Sequence, residues 1–227
     1  RRPNEAIFVK PYGVVGQVEP VFCNIRDDAS VRQALQGADA VVNCVGILAE
    51  AGKNRFDTVQ AEGATRIARI AAQQGITSMV HISAIGADAE SDSEYARSKA
   101  EGEAGILQHF PNAVILRPSI IFGAEDQFFN RFAAMTRLSP LLPVVGADTR
   151  FQPVYVDDVA RAAEVALTSS GVTPGVYELG GPDVATFREL MEQMLTTIHR
   201  RRLIVGIPFF VARIMGFMFD MGHSISL

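Results

Sequence analysis

Residues 78–123 read SMVHISAIGADAESDSEYARSKAEGEAGILQHFPNAVILRPSIIFG, and their pattern decides the fold class. The stretch opens on a short apolar run at Ser78–Ile82, passes through polar turn residues into a helical periodicity over 95–109, and closes on a second apolar run at 113–116. Strand, helix and strand in that order form a βαβ unit, whose crossover joins parallel strands. The same alternation extends upstream. Residues 18–25 read as a strand, 30–36 as a helix with Ser30 as its cap, 40–45 as a buried strand, and 56–74 as a long amphipathic helix stopped by Gly75. Downstream come a strand at 154–156, a helix opening at Asp157 and Asp158, a strand at 176–179, a Gly180-Gly181-Pro182 turn, and a helix opened by Thr186 and Glu189 as a capping box. The expected architecture is α/β, a Rossmann-like doubly wound parallel sheet over residues 1–150, with a small α+β region at 151–202 and an apolar tail at 203–227.

Composition narrows the function. A chain of 227 residues that is 48% hydrophobic and 20% charged can bury a core and does not read as disordered. Eighteen arginines against three lysines, without a basic block and with net charge −4, give no footprint for nucleic acid. Cys23 and Cys44 both fall in apolar strand-like runs, so buried reduced thiols are expected rather than a disulfide framework. His81, His109, His199 and His223 lack metal-ligand spacing, and no metal site is expected; His81 reads as a strand residue in or near the core. A GxSxG nucleophile elbow is missing from the sequence, which removes the common hydrolase reading. Asp157 and Asp158 read as helix-start carboxylates, not a catalytic pair.

The two ends carry information of their own. Arg1 follows no initiator methionine or leader, so the sequence is expected to belong to a longer protein. Residues 203–222 are very apolar but contain Pro208, Arg213 and Asp220, and 203–219 is at the short limit for a spanning helix. With Arg200, Arg201, Arg202 and Arg213 nearby, this segment is expected to dock on a partner protein or lie in a membrane surface, the alternative being a terminal helix packed on its own core.

Tyr95-Ala-Arg-Ser-Lys99 is the sharpest chemical signal. Positions i and i+4 share a helix face, so the Lys99 ammonium can lie beside the Tyr95 hydroxyl, lower its pKa and still bond the ribose of a nicotinamide cofactor. A phenol so tuned can protonate a carbonyl as hydride arrives.

In order and position, Asn43-Cys-Val-Gly46, Val80-His-Ile-Ser83, Tyr95, Lys99 and Arg117-Pro-Ser-Ile-Ile-Phe-Gly123 resemble the extended or atypical short-chain dehydrogenase/reductase family. Val154-Tyr-Val-Asp-Asp158 and Tyr177-Glu-Leu-Gly-Gly-Pro182 continue the likeness over nearly the whole chain. The resemblance implies that Asn24 and Ile25 flank an adenine ring, that Val45 and Gly46 line the adenosine ribose side, and that Ile82, Ser83, Tyr95, Lys99, Pro118, Ser119, Ile120 and Ile121 lie along the rest of the cofactor. Arg1 and Arg2 match the end of the family's second strand, where a guanidinium meets an adenosine 2′-phosphate, so the implied cofactor is NADPH.

Within that family, the stretch from Phe110 to Phe132, with its FGxxDxFxNxF core, resembles NADPH-binding accessory subunits of respiratory complex I, from alphaproteobacteria or mitochondria. This implies other complex I subunits as partners, no nucleic acid, and a place near the quinone site at the junction of the peripheral and membrane arms. The implied location is the cytoplasmic face of a bacterial inner membrane or the matrix side of the mitochondrial one. Two departures stand out. The family's glycine-rich pyrophosphate turn has no counterpart before Arg1, and the substrate-binding Ser or Thr that follows the strand-end serine is here Ala84. Three readings follow: a nucleotide-binding structural subunit without turnover; an active NADP-dependent reductase, epimerase or quinone reductase using Tyr95 as acid, Lys99 as its tuner and Ser83 to orient the carbonyl; and an NmrA-like NADP(H)-sensing regulator.

Overall fold

The computed structural model describes residues 3–208. Arg1, Arg2 and the apolar stretch from 209 onward lie outside the described residues. In chain order the main elements are α1 (Asp28–Ala34), β1 (Ala40–Asn43), α2 (Glu62–Gln73), β2 (Ser78–Ile82), α3 (Glu94–His109), β3 (Val114–Pro118), β4 (Ile121–Phe122), α4 (Phe129–Leu138), β5 (Leu141–Val145), β6 (Arg150–Phe151), β7 (Val154–Tyr155), α5 (Val156–Thr168), β8 (Gly175–Leu179), β9 (Ala185–Thr186), α6 (Phe187–Thr197) and β10 (Leu203–Ile207). They fall into two compact units, Arg1–Pro118 with Ala160–Leu179, and Ser119–Val159 with Gly180–Leu227. Ala160–Leu179 belongs to the first unit because β8 pairs with β3 in its sheet.

The first unit is a four-stranded parallel sheet in the order β1-β2-β3-β8. Helices cover both faces, as the doubly wound class requires. On one face Val41 and Met79 pack under Val31 of α1, Ala64, Ile67, Ala68 and Ala71 of α2, and Ile106 of α3. On the other, Val80, Val114 and Leu116 meet Ala162, Ala163 and Ala166 of α5. Each buried isoleucine of this kind contributes about 1.5–3 kcal/mol relative to exposure. A one-turn π stretch at Asp57–Ala61 leads into α2, and α2 ends where Gly75 adopts φ +76°, a left-handed conformation that glycine accepts without strain.

Three expectations are corrected here. Residues 18–25 form no strand: none of them pairs in a ladder, and Val21 and Phe22 are more than half exposed, while Cys23 and Ile25 pack on the core. Cys23 is therefore half-buried in coil, and Cys44 sits exposed just past β1, so neither is a buried strand thiol. The cap of α1 is Asp27, whose carboxylate accepts from Ser30 N at 2.7 Å; the Ser30 hydroxyl instead accepts from Asn24 N at 2.8 Å.

The second unit holds three two-stranded pairs, β5–β10 and β4–β7 parallel and β6–β9 antiparallel. Its core is aromatic: Phe128, Phe132, Phe151 and Phe187 interlock at centroid distances of 5.3–6.4 Å around Leu142, Val144 and Met191. The FGxxDxFxNxF stretch is a helix-start lock. Asp126 accepts from Phe129 N at 2.6 Å and Gly123 N at 3.3 Å, and Asn130 donates to Ala124 O at 2.9 Å. The capping box at Thr186 and Glu189 forms as expected. Two corrections concern the basic tail. Leu203–Ile207 is a strand paired with β5, and Arg200 and Arg202 are spent on the end of α4, donating to Ala133 O, Thr136 Oγ1 and Thr136 O at 2.8–3.1 Å. A cation is well placed there, because the last carbonyls of a helix lack intrahelical donors. Among the described residues no helix is long and apolar enough to cross a membrane.

The helix pair over β1 and β2 depends on two glycines of α3. A Cβ at Gly102 would overlap the Gln60 carbonyl oxygen, and one at Gly105 would overlap the Thr65 side chain. Gly102→Ala is therefore expected to destabilise the protein by about 1–3 kcal/mol, the usual cost of overpacking, although alanine is the better helix former. Chemical denaturation measures this directly; equal or higher stability of the variant would contradict the packing described.

Candidate functional site

The inward face of α3 carries Tyr95, Lys99 and Glu103 at i, i+4 and i+8, a single row over the sheet. Ser93 starts the helix by accepting from Ala96 N. Lys99 is only 5% exposed. Its Nζ has one long hydrogen bond, to Ile82 O at 3.5 Å, lies 5.9 Å from the centre of the Tyr95 ring, and has no carboxylate within 4 Å among the described residues. Burial lowers the Lys99 pKa, and the nearby Glu103 carboxylate opposes that shift. An ammonium carries three donors, and a buried one is stabilised by oxygen acceptors. Gly46 fits against it: a Cβ there would stand 3.3 Å from Lys99 Nζ and 3.5 Å from Gln60 Oε1.

Tyr95 shows the opposite of the expected tuning. Its pKa is raised by burial, and the Phe56 ring stands edge-on to it at 5.8 Å. Desolvation of the half-buried phenol disfavours its charged form.

The loop after β1 completes the site. Asn43 Oδ1 accepts from Val45 N at 3.0 Å, and Asn43 Nδ2 faces His81 Nδ1 at 3.0 Å. Gln60 Oε1 accepts from Ile47 N at 3.4 Å, and Gln60 Nε2 donates to Ser98 Oγ at 2.9 Å, between Tyr95 and Lys99 on α3. Val45, Ile47, Cys23, Ile25, Asn54 and Val59 line a cavity of about 280 Å³. Ile25 and Val45, assigned to the adenosine end from sequence, therefore share one apolar pocket. Asn24 sits beside it in a tight turn, its Oδ1 accepting from Arg26 N at 3.3 Å.

Ser83 is not free to orient a carbonyl. Its hydroxyl donates to Glu103 Oε1, and Arg117 holds the same carboxylate at 2.6 Å through Nη2 and at 2.9 and 3.2 Å through Nε. This corrects the role expected for Ser83. Of the remaining candidates, Ile82 and Pro118 end β2 and β3 in the first unit, while Ser119, Ile120 and Ile121 belong to the second. There Ile120 O accepts from Val154 N at 2.9 Å, and Ile121 pairs with Val154 across β4 and β7. Sequence reasoning missed Glu103, Arg117, Gln60 and Asn43 as parts of the site. The i, i+4, i+8 row from Tyr95 through Lys99 would have exposed Glu103; the others are joined only by the fold.

A parallel sheet wound by helices on both faces, with Tyr95 and the buried Lys99 beside the carboxyl ends of β1 and β2, defines a Rossmann-like α/β fold. Residues 12–208 match the RmlD substrate binding domain family, and the chain belongs to that family. Its fold is similar to UDP-glucuronic acid 4-epimerase from Bacillus cereus in complex with UDP-glucuronic acid and NAD, at TM-score 0.74 and 18% identity over 88% of this chain and 72% of that one. It is also similar to dTDP-4-dehydrorhamnose reductase from Bacillus anthracis in complex with NADP, at TM-score 0.69 and 18% identity over 82% and 72% of the two chains. In sequence it is 36% identical over 210 residues to the mitochondrial NADH dehydrogenase [ubiquinone] 1 alpha subcomplex subunit 9 of Arabidopsis thaliana, covering 91% of this chain and 52% of that protein. The chain spans about half the length of the curated relatives it matches.

His81 supplies a prediction. It is 1% exposed; Nδ1 takes the Asn43 amide hydrogen, so its proton resides on Nε2, which has no partner. Burial first and the Lys99 charge second push its pKa down to about 3. A depressed histidine contributes stability that is complete above the unfolded value of about 6.5 and is lost as pH falls toward about 3. Within that window wild type should lose stability more steeply than His81→Leu, with a slope difference of up to about 1.4 kcal/mol per pH unit. Parallel pH profiles from urea unfolding would refute the neutral, buried imidazole.

Proposed function

We propose that this chain is the nucleotide-holding part of an accessory subunit of respiratory complex I, and that it binds NADPH as a structural ligand without turning it over. What carries this reading is one contrast within the site: Lys99 places a buried ammonium beside the loop after β1 with a single long hydrogen bond to Ile82 O, whereas Ser83 is tied to Glu103 and the next residue is Ala84. The grip on a ribose is retained, and the group that would present a substrate carbonyl is engaged elsewhere.

The residues fit a dinucleotide. Lys99 would donate to ribose hydroxyls, with Tyr95 beside it at the nicotinamide ribose. Asn24 and Ile25 would flank the adenine, and Val45 and Gly46 would line the adenosine ribose side. Pro118, Ser119, Ile120 and Ile121 are assigned to the nicotinamide end, and Arg1 and Arg2 to the 2′-phosphate that distinguishes NADPH. When bound, NADPH supplies a hydride donor. Tyr95, with its raised pKa, holds its proton at neutral pH, and the chain provides no free hydroxyl at position 84 to fix an acceptor carbonyl. A ligand present at a thousandfold above its Kd stabilises the fold by about 4 kcal/mol.

The likeness to the Arabidopsis thaliana subunit supports complex I as the assembly, with the chain peripheral to the membrane on the matrix side or its bacterial cytoplasmic equivalent. Residues 203–222 are proposed to contact other subunits or the lipid surface, starting after the β10 strand.

Native mass spectrometry of the full-length protein should show one NADPH or NADP⁺ per chain. Lys99→Met is expected to weaken NADPH binding at least tenfold. Mixing the protein with NADPH and carbonyls or quinones should consume no NADPH. Absence of any pyridine nucleotide after incubation with NADPH, or NADPH oxidation abolished by Tyr95→Phe, would overturn the reading.

A further inference from the structure

We propose that Gln60 is a positioning residue of the nucleotide site, a side chain that ties the loop after β1 to the Tyr95-Lys99 face of α3. The inference rests on the NADPH reading above for its ligand, and on geometry alone for the contact itself.

Gln60 lies in the π stretch before α2 and is 2% exposed. Burial of a primary amide is unfavourable unless its groups are bonded, and here both ends are used. Oε1 accepts from Ile47 N on the loop; Nε2 donates to Ser98 Oγ, which in turn donates to Tyr95 O at 2.9 Å. Its backbone carbonyl packs against Gly102 of the same helix, so the side chain cannot slide along α3 without a clash.

Ile47 and Val45 both line the apolar cavity. Their amides are held by two buried carboxamides, Ile47 by Gln60 and Val45 by Asn43, one on each side of Gly46. The place a Gly46 Cβ would occupy is bounded by Lys99 Nζ and Gln60 Oε1. The spacing between the adenosine wall and the lysine is thus set through Gln60. The π turn has a function in this arrangement: one extra residue in the turn brings Gln60 to the loop while Val59 lines the cavity.

The test uses the full-length protein with Gln60→Leu, Gln60→Glu and a control, Ile106→Val, which loosens the core away from the loop. Hydrogen exchange of the peptide spanning residues 44–50 is read without nucleotide, and NADPH affinity by fluorescence titration. Gln60→Leu should lose protection in that peptide and bind NADPH at least tenfold more weakly. Gln60→Glu, which keeps an acceptor, should retain the protection, and Ile106→Val should bind within twofold of wild type despite a lower Tm. If Gln60→Leu does not fold, Gln60→Met takes its place. Unchanged exchange in Gln60→Leu overturns the contact whether or not nucleotide binds. Lost protection with unchanged NADPH affinity overturns the positioning role. Failure of wild type to bind NADPH defeats the functional reading, while the exchange experiment still decides the contact.

Discussion

A lysine ammonium held under a helix, almost out of water, with a single 3.5 Å acceptor, constrains everything around it. Such a charge is expensive to bury, and its neighbours are arranged accordingly. Glu103 one turn along α3 opposes the loss of its proton, His81 beneath remains neutral, and Gly46 contributes no side chain that would close the space above it. In the proposed reading Lys99 donates to the ribose hydroxyls of the nucleotide. A chain that needed only a hydrophobic helix-sheet contact would place an aliphatic residue there.

The same helix row divides into two contact groups. Tyr95 and Lys99 face the loop after β1, whereas Glu103 captures the Ser83 hydroxyl with the help of Arg117. Removing Arg117 would leave a nearly buried carboxylate without its cation, a costly state. The small residues Gly102 and Gly105 allow the close helix approach that brings this row and Gln60 together.

Much of the first unit was legible because each element carried a local signal. β2 spans the residues its apolar run marked, α3 differs by one residue at its start, and Gly75 ends α2 as its sequence position suggests. The Tyr95-Lys99 spacing is likewise local. What failed depended on tertiary partners. Residues 18–25 have strand composition but no neighbour to pair with among the described residues, and Arg200 and Arg202 look like surface charge until α4 presents its carbonyls to them. The Tyr95 shift was misjudged in sign because desolvation is a property of packing, which i+4 spacing does not report. Gln60 gave no signal at all, since a glutamine in a helix ordinarily faces water.

The most direct test of the whole account is an experimental structure of the full-length protein with NADPH bound. The account predicts ribose oxygens within hydrogen-bond distance of Lys99 Nζ and Ser83 still bonded to Glu103. A nucleotide bound away from Lys99, or a Ser83 hydroxyl released from Glu103 and turned to the nicotinamide, would contradict it.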